Sequence, residues 1–283
     1  MAFLSPLKSI DELLLHISDS NWVIIDCRFD LKSPDWGYTN YFEGHIPRAY
    51  FAHMDHDLAG TVTEKTGRHP LPDENEFMVK LSGWGISREC NVIVYDANGG
   101  SYAARLWWLL RAFGFPQSYL LDGDYLVWKN LGHPVEQGIN LPLSQSNISA
   151  RLDKSRFVST AMMETLIENP AYIIIDARSA ERYRGELEPI DPVAGHIPGA
   201  VNRFHGDNLQ PSGHFKTADI LKMEFQKLIQ GHDPEYVIVY CGSGVSSCHH
   251  ILAMEAAGLP GVKLYPGSWS EWIRDPSHKI ASS

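Results

Sequence analysis

The stretch Val237-Ile238-Val239-Tyr240-Cys241-Gly242-Ser243-Gly244-Val245-Ser246-Ser247 decides the fold. Its first four apolar residues, three of them β-branched, read as a buried strand, and apolar positions at Val245, Ile251, Leu252 and Ala256 read as a helix from Ser247 to about Ala257. Cys241 therefore stands at the turn between them. Two glycines and several small hydroxyl residues let the backbone N–H groups of that turn converge on its centre, and the following helix aims its positive end at the same point. The stretch is an anion cradle with a thiol in it.

Burial at a strand end raises a thiol above its free pKa of roughly 8.5, whereas a helix N-terminus and converging N–H donors lower it. Moving it to near neutrality takes about 2 kcal/mol, within reach of a partly buried helix end and a few charge-assisted hydrogen bonds. Cys241 is accordingly expected to be a thiolate nucleophile. The alternative is a small buried residue with no chemistry, as many free cysteines are.

Working outward, the segments preceding this strand repeat ones found in the first half of the chain. Ile173-Ile174-Ile175-Asp176-Ala177-Arg178 matches Val23-Ile24-Ile25-Asp26-Cys27-Arg28, and Gly195-His196-Ile197-Pro198 matches Gly44-His45-Ile46-Pro47. Asp26 to Asp176, Gly44 to Gly195, Asp96 to Cys241 and Trp128 to Trp272 are 150, 151, 145 and 144 positions apart. Offsets this steady imply a duplicated domain. Helical patterns at 9–17, 73–81 and 103–113 alternate with strand patterns at 22–26, 91–96 and 119–123, with an aromatic-rich loop after the first strand. Such alternation predicts an α/β fold of two domains, each a mostly parallel sheet flanked by helices on both faces. The expected boundaries are 1–137, a polar and proline-containing linker at 138–155, and 156–283.

The duplication is chemically lopsided. Asp96 occupies the place of Cys241 and is followed by Ala97-Asn98-Gly99-Gly100, so the first copy keeps a loop without a nucleophile. It is expected to be a catalytically inactive scaffold; an independent binding site is the other reading.

A chain of 283 residues with 44% hydrophobic and 20% charged residues can bury two ordinary cores. A net charge of -10 without a basic run argues against nucleic-acid or anionic-membrane partners. The first residues lack a secretory or membrane-spanning pattern, and Cys27, Cys90, Cys241 and Cys248 have no disulfide-framework spacing, so a cytoplasmic setting is expected.

The two Gly-His-Ile-Pro segments, the two Asp-x-Arg strand ends and the loop Cys241-Gly242-Ser243-Gly244-Val245-Ser246 resemble the rhodanese superfamily, from about Ser9 to His278. The chain is similar to tandem-domain sulfurtransferases with an inactive first and an active second domain. The neutral Cys-Gly-Ser-Gly-Val loop is similar to that of 3-mercaptopyruvate sulfurtransferases, whereas thiosulfate-type rhodaneses usually place Arg and Lys after the cysteine. The resemblance implies transfer of sulfane sulfur through a Cys241 persulfide to cyanide or a thiol such as thioredoxin, without metal or organic cofactor. It also implies a Ser243-His69-Asp55 relay, with His53 and His56 as competitors for the histidine. Arg182 would bind the donor's carboxylate, and Gly242, Gly244, Val245 and Ser246 would line the sulfur. The family's second arginine, after a Glu-Pro pair, is absent, because Glu188-Pro189 is followed by Ile190. Arg178 beside Asp176, and Arg28 beside Asp26, read as structural ion pairs.

Three other readings remain. A phosphatase-type loop would close with an arginine where Ser246, Ser247 and Cys248 stand; a metal site from Cys241, Cys248, His249 and His250 has no recognised ligand spacing. A non-catalytic sulfur-carrier module would keep Cys241 without needing Ser243, His69 and Asp55 as a set.

Overall fold

The computed structural model describes residues 5–141, 146 and 148–282. They form two compact units: one of residues up to Gly60 with Leu71–Asp153 and Leu209–Phe215, the other of Thr61–Pro70, Lys154–Asn208 and Lys216 onward. Each is built on its own parallel sheet, which bears out the α/β expectation.

The first unit runs β1 (Leu7–Ser9), α1 (Ile10–His16), β2 (Trp22–Asp26), α2 (Trp36–Glu43), β3 (Tyr50–Phe51), α3 (Met54–Asp57), α4 (Glu74–Gly83), β4 (Asn91–Tyr95), α5 (Ala103–Ala112), β5 (Ser118–Asp122) and α6 (Asp124–Asn130). Its strands lie in the order β1-β5-β4-β2-β3, all pairs parallel. Ser9 caps α1 through a capping box with Glu12. The segment after β2 that reads as an aromatic-rich loop contains α2: Asp35 precedes it, Gly44 ends it and Tyr41 is buried in the core with Ile24, Ile93 and Trp128. Residues 146 and 148–153, within the expected linker, are tied to this unit by Ser146 hydrogen bonds to Ser82 and Ile86, Arg88 to Ser149 O (3.2 Å) and Asp153 N–H to Ala112 O (2.9 Å).

The second unit runs α7 (Thr160–Leu166), β6 (Ile173–Asp176), α8 (Ala180–Arg184), β7 (Val201–Asn202), α9 (Ala218–Ile229), β8 (Val237–Tyr240), α10 (Ser247–Ala256), β9 (Lys263–Leu264) and α11 (Ser268–Trp272), with strand order β7-β6-β8-β9. Its core packs Ile174, Ile238 and Tyr240 against Met163, Tyr265, Trp269 and Trp272.

The repeated motifs are built into the same buried network in each unit. Arg28 Nε donates to Asp26 (2.9 Å) and Arg28 Nη2 to Gly44 O (2.7 Å); Arg178 Nε donates to Asp176 (3.1 Å) and Arg178 Nη2 to Gly195 O (2.7 Å). Ile46 N–H donates to the Tyr95 hydroxyl and Ile197 N–H to that of Tyr240, both at 3.1 Å. His45 stacks on Tyr41 (4.1 Å) and His196 on Tyr183 (3.7 Å). Because the register pairs Asp26 with Tyr95 and Asp176 with Tyr240, this network fastens the strand ends from which the two loops spring. The Asp-x-Arg and Gly-His-Ile-Pro motifs thus fasten the strand ends that support the loops. Catalytic loops of open α/β sheets sit at this carboxyl edge.

Candidate active site

The loop after β8 holds Cys241 2% exposed. Burial raises the thiol, but the Ser246 and Ser247 hydroxyls and the Ser243 and Ser247 N–H groups outweigh it, so the net displacement is downward. The Ser247 hydroxyl is fully buried and, among the described residues, meets no other hydrogen-bonding group, which leaves it to the sulfur. Gly244 has φ 74°, and a Cβ there would lie 2.4 Å from Pro266 O, so only glycine lets the loop close on β9's exit. Val245 is buried, with its carbonyl accepting Cys248 N–H (3.0 Å).

The first unit shows what such a loop is shaped to hold. Asp96, fully buried, accepts through Oδ1 from Asn98 and Gly100 N–H (both 2.8 Å), and through Oδ2 from Tyr102 (2.8 Å) and Ala103 N–H (2.9 Å). Four backbone donors converge on one carboxylate, so this copy of the cradle carries its own anion. Tyr125 N–H donates to Asp96 O (2.8 Å) as Trp269 N–H does to Cys241 O (3.0 Å). Just before those residues Asp124 (φ 47°) and Ser268 (φ 54°) share the left-handed conformation that non-glycine residues seldom adopt.

Ser243 and His69 meet in the second unit: His69 Nδ1 lies 2.7 Å from Ser243 Oγ, with both residues buried. Asp55 belongs to the first unit, in α3, where its N–H donates to His53 Nδ1 (3.1 Å). His53 is buried against Phe29 and Phe51 and stacks on the exposed His56 (4.3 Å); burial lowers its pKa.

Arg182, in the middle of α8, is largely buried. Its Nε and Nη2 grip Glu188 (2.7 Å at the shortest), and Nη2 also reaches Asp191 (3.1 Å). Sequence reasoning passed over Arg68, which pairs through Nη1 with the other oxygen of Asp191. Its buried Nε has no hydrogen-bond partner among the described residues. A Cβ on Gly242 would lie 2.7 Å from Arg68 Nη2 and 3.7 Å from Arg182 Nη1, so two guanidinium groups converge over the residue that follows Cys241. A second guanidinium, not found after Glu188-Pro189, thus stands beside that of Arg182 on another segment. Its signal was the cation adjoining a candidate histidine in Gly67-Arg68-His69-Pro70. Ser247, Glu188 and Asp191 were likewise not singled out as site residues.

Cys248, His249 and His250 lie on buried turns of α10, as expected of helix residues. The Asn208 amide bridges the Nδ1 atoms of His249 (3.0 Å) and His250 (2.9 Å), and His250 Nε2 bonds Arg203 O (2.8 Å). Among the described residues no group of three or more His, Cys, Asp or Glu side chains is placed to hold a metal ion, and no helix is long and apolar enough to cross a membrane.

Comparison with known proteins agrees with this geometry. The rhodanese-like domain model matches twice, at residues 9–131 and 159–275. The chain is 41% identical over 280 residues, 98% of each chain, to a protein of Pseudomonas aeruginosa named "Probable 3-mercaptopyruvate sulfurtransferase". It is 32% identical to the thiosulfate sulfurtransferase of Gallus gallus, across 84% of this chain and 82% of that one. The crystal structure of the 3-mercaptopyruvate sulfotransferase SseA from Escherichia coli superimposes with a TM-score of 0.81 at 31% identity, covering 95% of this chain and 100% of that one. With both halves matched and the loop, its strand and its supporting network present twice, the chain belongs to the family of proteins built from rhodanese-like domains.

Proposed function

We propose that the protein is a sulfurtransferase that takes sulfur from 3-mercaptopyruvate onto Cys241 and hands it to a thiol, or to cyanide in an assay. The observation that carries this reading is the 2.7 Å contact between His69 Nδ1 and Ser243 Oγ, two residues along the loop from a thiol held toward its anionic form. A thiosulfate donor releases sulfite, which needs no proton at carbon; a mercaptopyruvate donor releases an enolate, which does. A hydroxyl–imidazole pair beside the nucleophile fits the second requirement.

In the first half-reaction the Cys241 thiolate attacks the donor sulfur, a S–S bond forms, and the C–S bond breaks with its electron pair going to the pyruvate enolate. The proton of the donor's S–H group passes through Ser243, backed by His69, to the enolate carbon, giving pyruvate and leaving the outer sulfur of the persulfide deprotonated. The persulfide keeps the negative charge, which the Ser243 and Ser247 N–H groups and the Ser246 and Ser247 hydroxyls stabilise. In the second half-reaction an acceptor thiolate attacks the outer sulfur, and Cys241 leaves as thiolate. Arg182 and Arg68 hold the donor's carboxylate, sharing the fork that Glu188 and Asp191 orient. Gly242, Gly244, Val245 and Ser246 shape the space around the sulfur. Asp55 is carried on the family resemblance alone, as the carboxylate proposed for the relay. All four cysteines are thiols rather than disulfides, which suits a reducing compartment such as the cytoplasm and an acceptor such as thioredoxin or a small thiol.

Thiosulfate is the second donor to consider, because the Gallus gallus relative is named for it and paired guanidinium groups also suit a sulfonate. The test is pyruvate release from 3-mercaptopyruvate with a thiol or cyanide present, run beside thiocyanate formation from thiosulfate. Cys241→Ser abolishes both. Ser243→Ala and His69→Ala depress mercaptopyruvate turnover more than thiosulfate turnover. Equal losses remove the proton relay, and a tenfold preference for thiosulfate in kcat/KM reverses the donor assignment.

A further inference from the structure

The short helix α11 touches the Cys241 loop and the segment bearing His69 at once. Trp269 N–H donates to Cys241 O (3.0 Å) and Ser270 N–H to Gly242 O (2.9 Å), while the Ser268 hydroxyl accepts Cys241 N–H (3.1 Å). On the other side, the Ser270 hydroxyl accepts Arg68 N–H (3.1 Å), and Glu271 Oε2 accepts Gly67 N–H (3.1 Å). The remaining oxygen of Glu271 accepts from Thr160 Oγ1, which also bonds the Tyr265 hydroxyl (2.9 Å), so the carboxylate is itself fixed. The fit is close enough to require glycine at 67: a Cβ there would lie 2.6 Å from Gly267 O and 2.9 Å from Ser270 Oγ.

The internal duplication separates what the fold needs from what this contact adds. Counting back 144 positions, Gly267, Ser268, Trp269 and Trp272 correspond to Gly123, Asp124, Tyr125 and Trp128, and the backbone bond from α6 to the loop is kept as Tyr125 N–H to Asp96 O (2.8 Å). Ser270 and Glu271, by contrast, correspond to Leu126 and Val127, which have neither an oxygen nor a charge to offer. The scaffold therefore folds without a polar pair at these positions, and the pair occurs in the copy whose loop contains the thiol.

We propose that Ser270 and Glu271 are positioning residues for the sulfur-transfer step: they clamp the backbone at Gly67 and Arg68 and thereby set His69 against Ser243. This inference rests on the sulfurtransferase reading. Neither residue touches the reacting atoms; they act through the two amides that immediately precede the histidine. Misplacing such a group by about 1 Å can cost two orders of magnitude in rate.

The test combines kinetics with amide hydrogen exchange on the full-length protein. Ser270→Ala and Glu271→Ala lower kcat for 3-mercaptopyruvate about tenfold or more, whereas the rate of Cys241 alkylation and its pH dependence stay as in the parent. Glu271→Gln, which keeps an acceptor for Gly67 N–H, restores most of the rate. In a His69→Ala background the same substitutions add less than about twofold, since residues acting through one group are not additive. Exchange at the Gly67 and Arg68 amides rises at least about tenfold in Glu271→Ala and Ser270→Ala respectively. Unchanged kcat, losses that multiply with His69→Ala, or a parallel fall in Cys241 alkylation overturns the positioning role. Should Glu271→Ala not fold, Ser270→Ala carries the loss of kcat and the rise in Arg68 amide exchange by itself. A parent protein inactive with both donors overturns the functional reading itself, which distinguishes that failure from failure of the clamp in an active enzyme.

Discussion

Asp96→Asn is the substitution that weighs the cradle directly. The carboxylate accepts four backbone N–H bonds, two on each oxygen, in a fully buried position. An asparagine keeps one oxygen and turns an NH2 group toward the other two donors. Two charge-assisted bonds are lost, each of about 1.5–3 kcal/mol, and two are weakened to neutral bonds, so the local cost is about 3–6 kcal/mol. That is a large share of the 5–15 kcal/mol typical of a domain. Exchange of the Asn98, Gly100, Tyr102 and Ala103 amides should accelerate at least about a hundredfold, at about 1.4 kcal/mol per decade, and urea unfolding of the first unit should shift to lower midpoint. In Asp96→Ala, which leaves a space in place of the carboxylate, added formate should restore protection at the same four amides. A cost below about 1 kcal/mol for Asp96→Asn, or no response to formate, would refute the idea that this loop is folded around an anion. The case for a stabilised sulfur anion in the second copy would lose its internal control with it.

Three further outcomes follow from the same geometry. Because Cys241 is lowered chiefly against burial by Ser246 and Ser247, its alkylation by iodoacetamide should persist below the ordinary thiol range, falling as pH drops through the lowered pKa; Ser246→Ala and Ser247→Ala should each move that fall to higher pH, read on the Cys241 peptide by mass spectrometry. Burial holds His250 well below the ordinary histidine value against the opposing hydrogen bond to the Arg203 carbonyl, and the charges of Arg203, His249 and His205 add to the lowering, so the folded state binds fewer protons than the unfolded chain. Stability contributed by neutral His250 is thus complete above pH of about 6.5 and is lost as pH falls below it. His250→Gln should flatten this acid limb in thermal melts, and an unchanged limb would exclude His250 as its source. Gly244→Ala meets the Pro266 backbone at 2.4 Å from a φ of 74° and should cost about 3 kcal/mol or more, whereas Gly242→Ala meets only the movable end of Arg68 and should spare stability while raising KM for the donor.

The sequence by itself was sufficient for the α/β architecture, the duplication and the nucleophile loop. β-branched runs such as Val237–Tyr240 and Trp22–Asp26 are local signals of buried parallel strands, and two matching sets of landmarks at near-constant offset have no other economical reading. Helix α9 carried a legible signal too, with Leu221, Phe225 and Ile229 four residues apart on its buried face, although the reading passed over it. Helix α2 was hidden, because aromatic residues spaced through 36–43 suit loop and helix alike until Tyr41 is seen to be packed. What only the tertiary structure decided was which polar groups meet. Arg68 to Asp191, His69 to Ser243 and Gly67 to Glu271 join residues 123, 174 and 204 positions apart. Nothing in local periodicity encodes such pairings; they arise when the sheet fixes where each loop emerges, and a hydrogen bond, unlike a hydrophobic run, depends on distance and direction in space rather than on order along the chain.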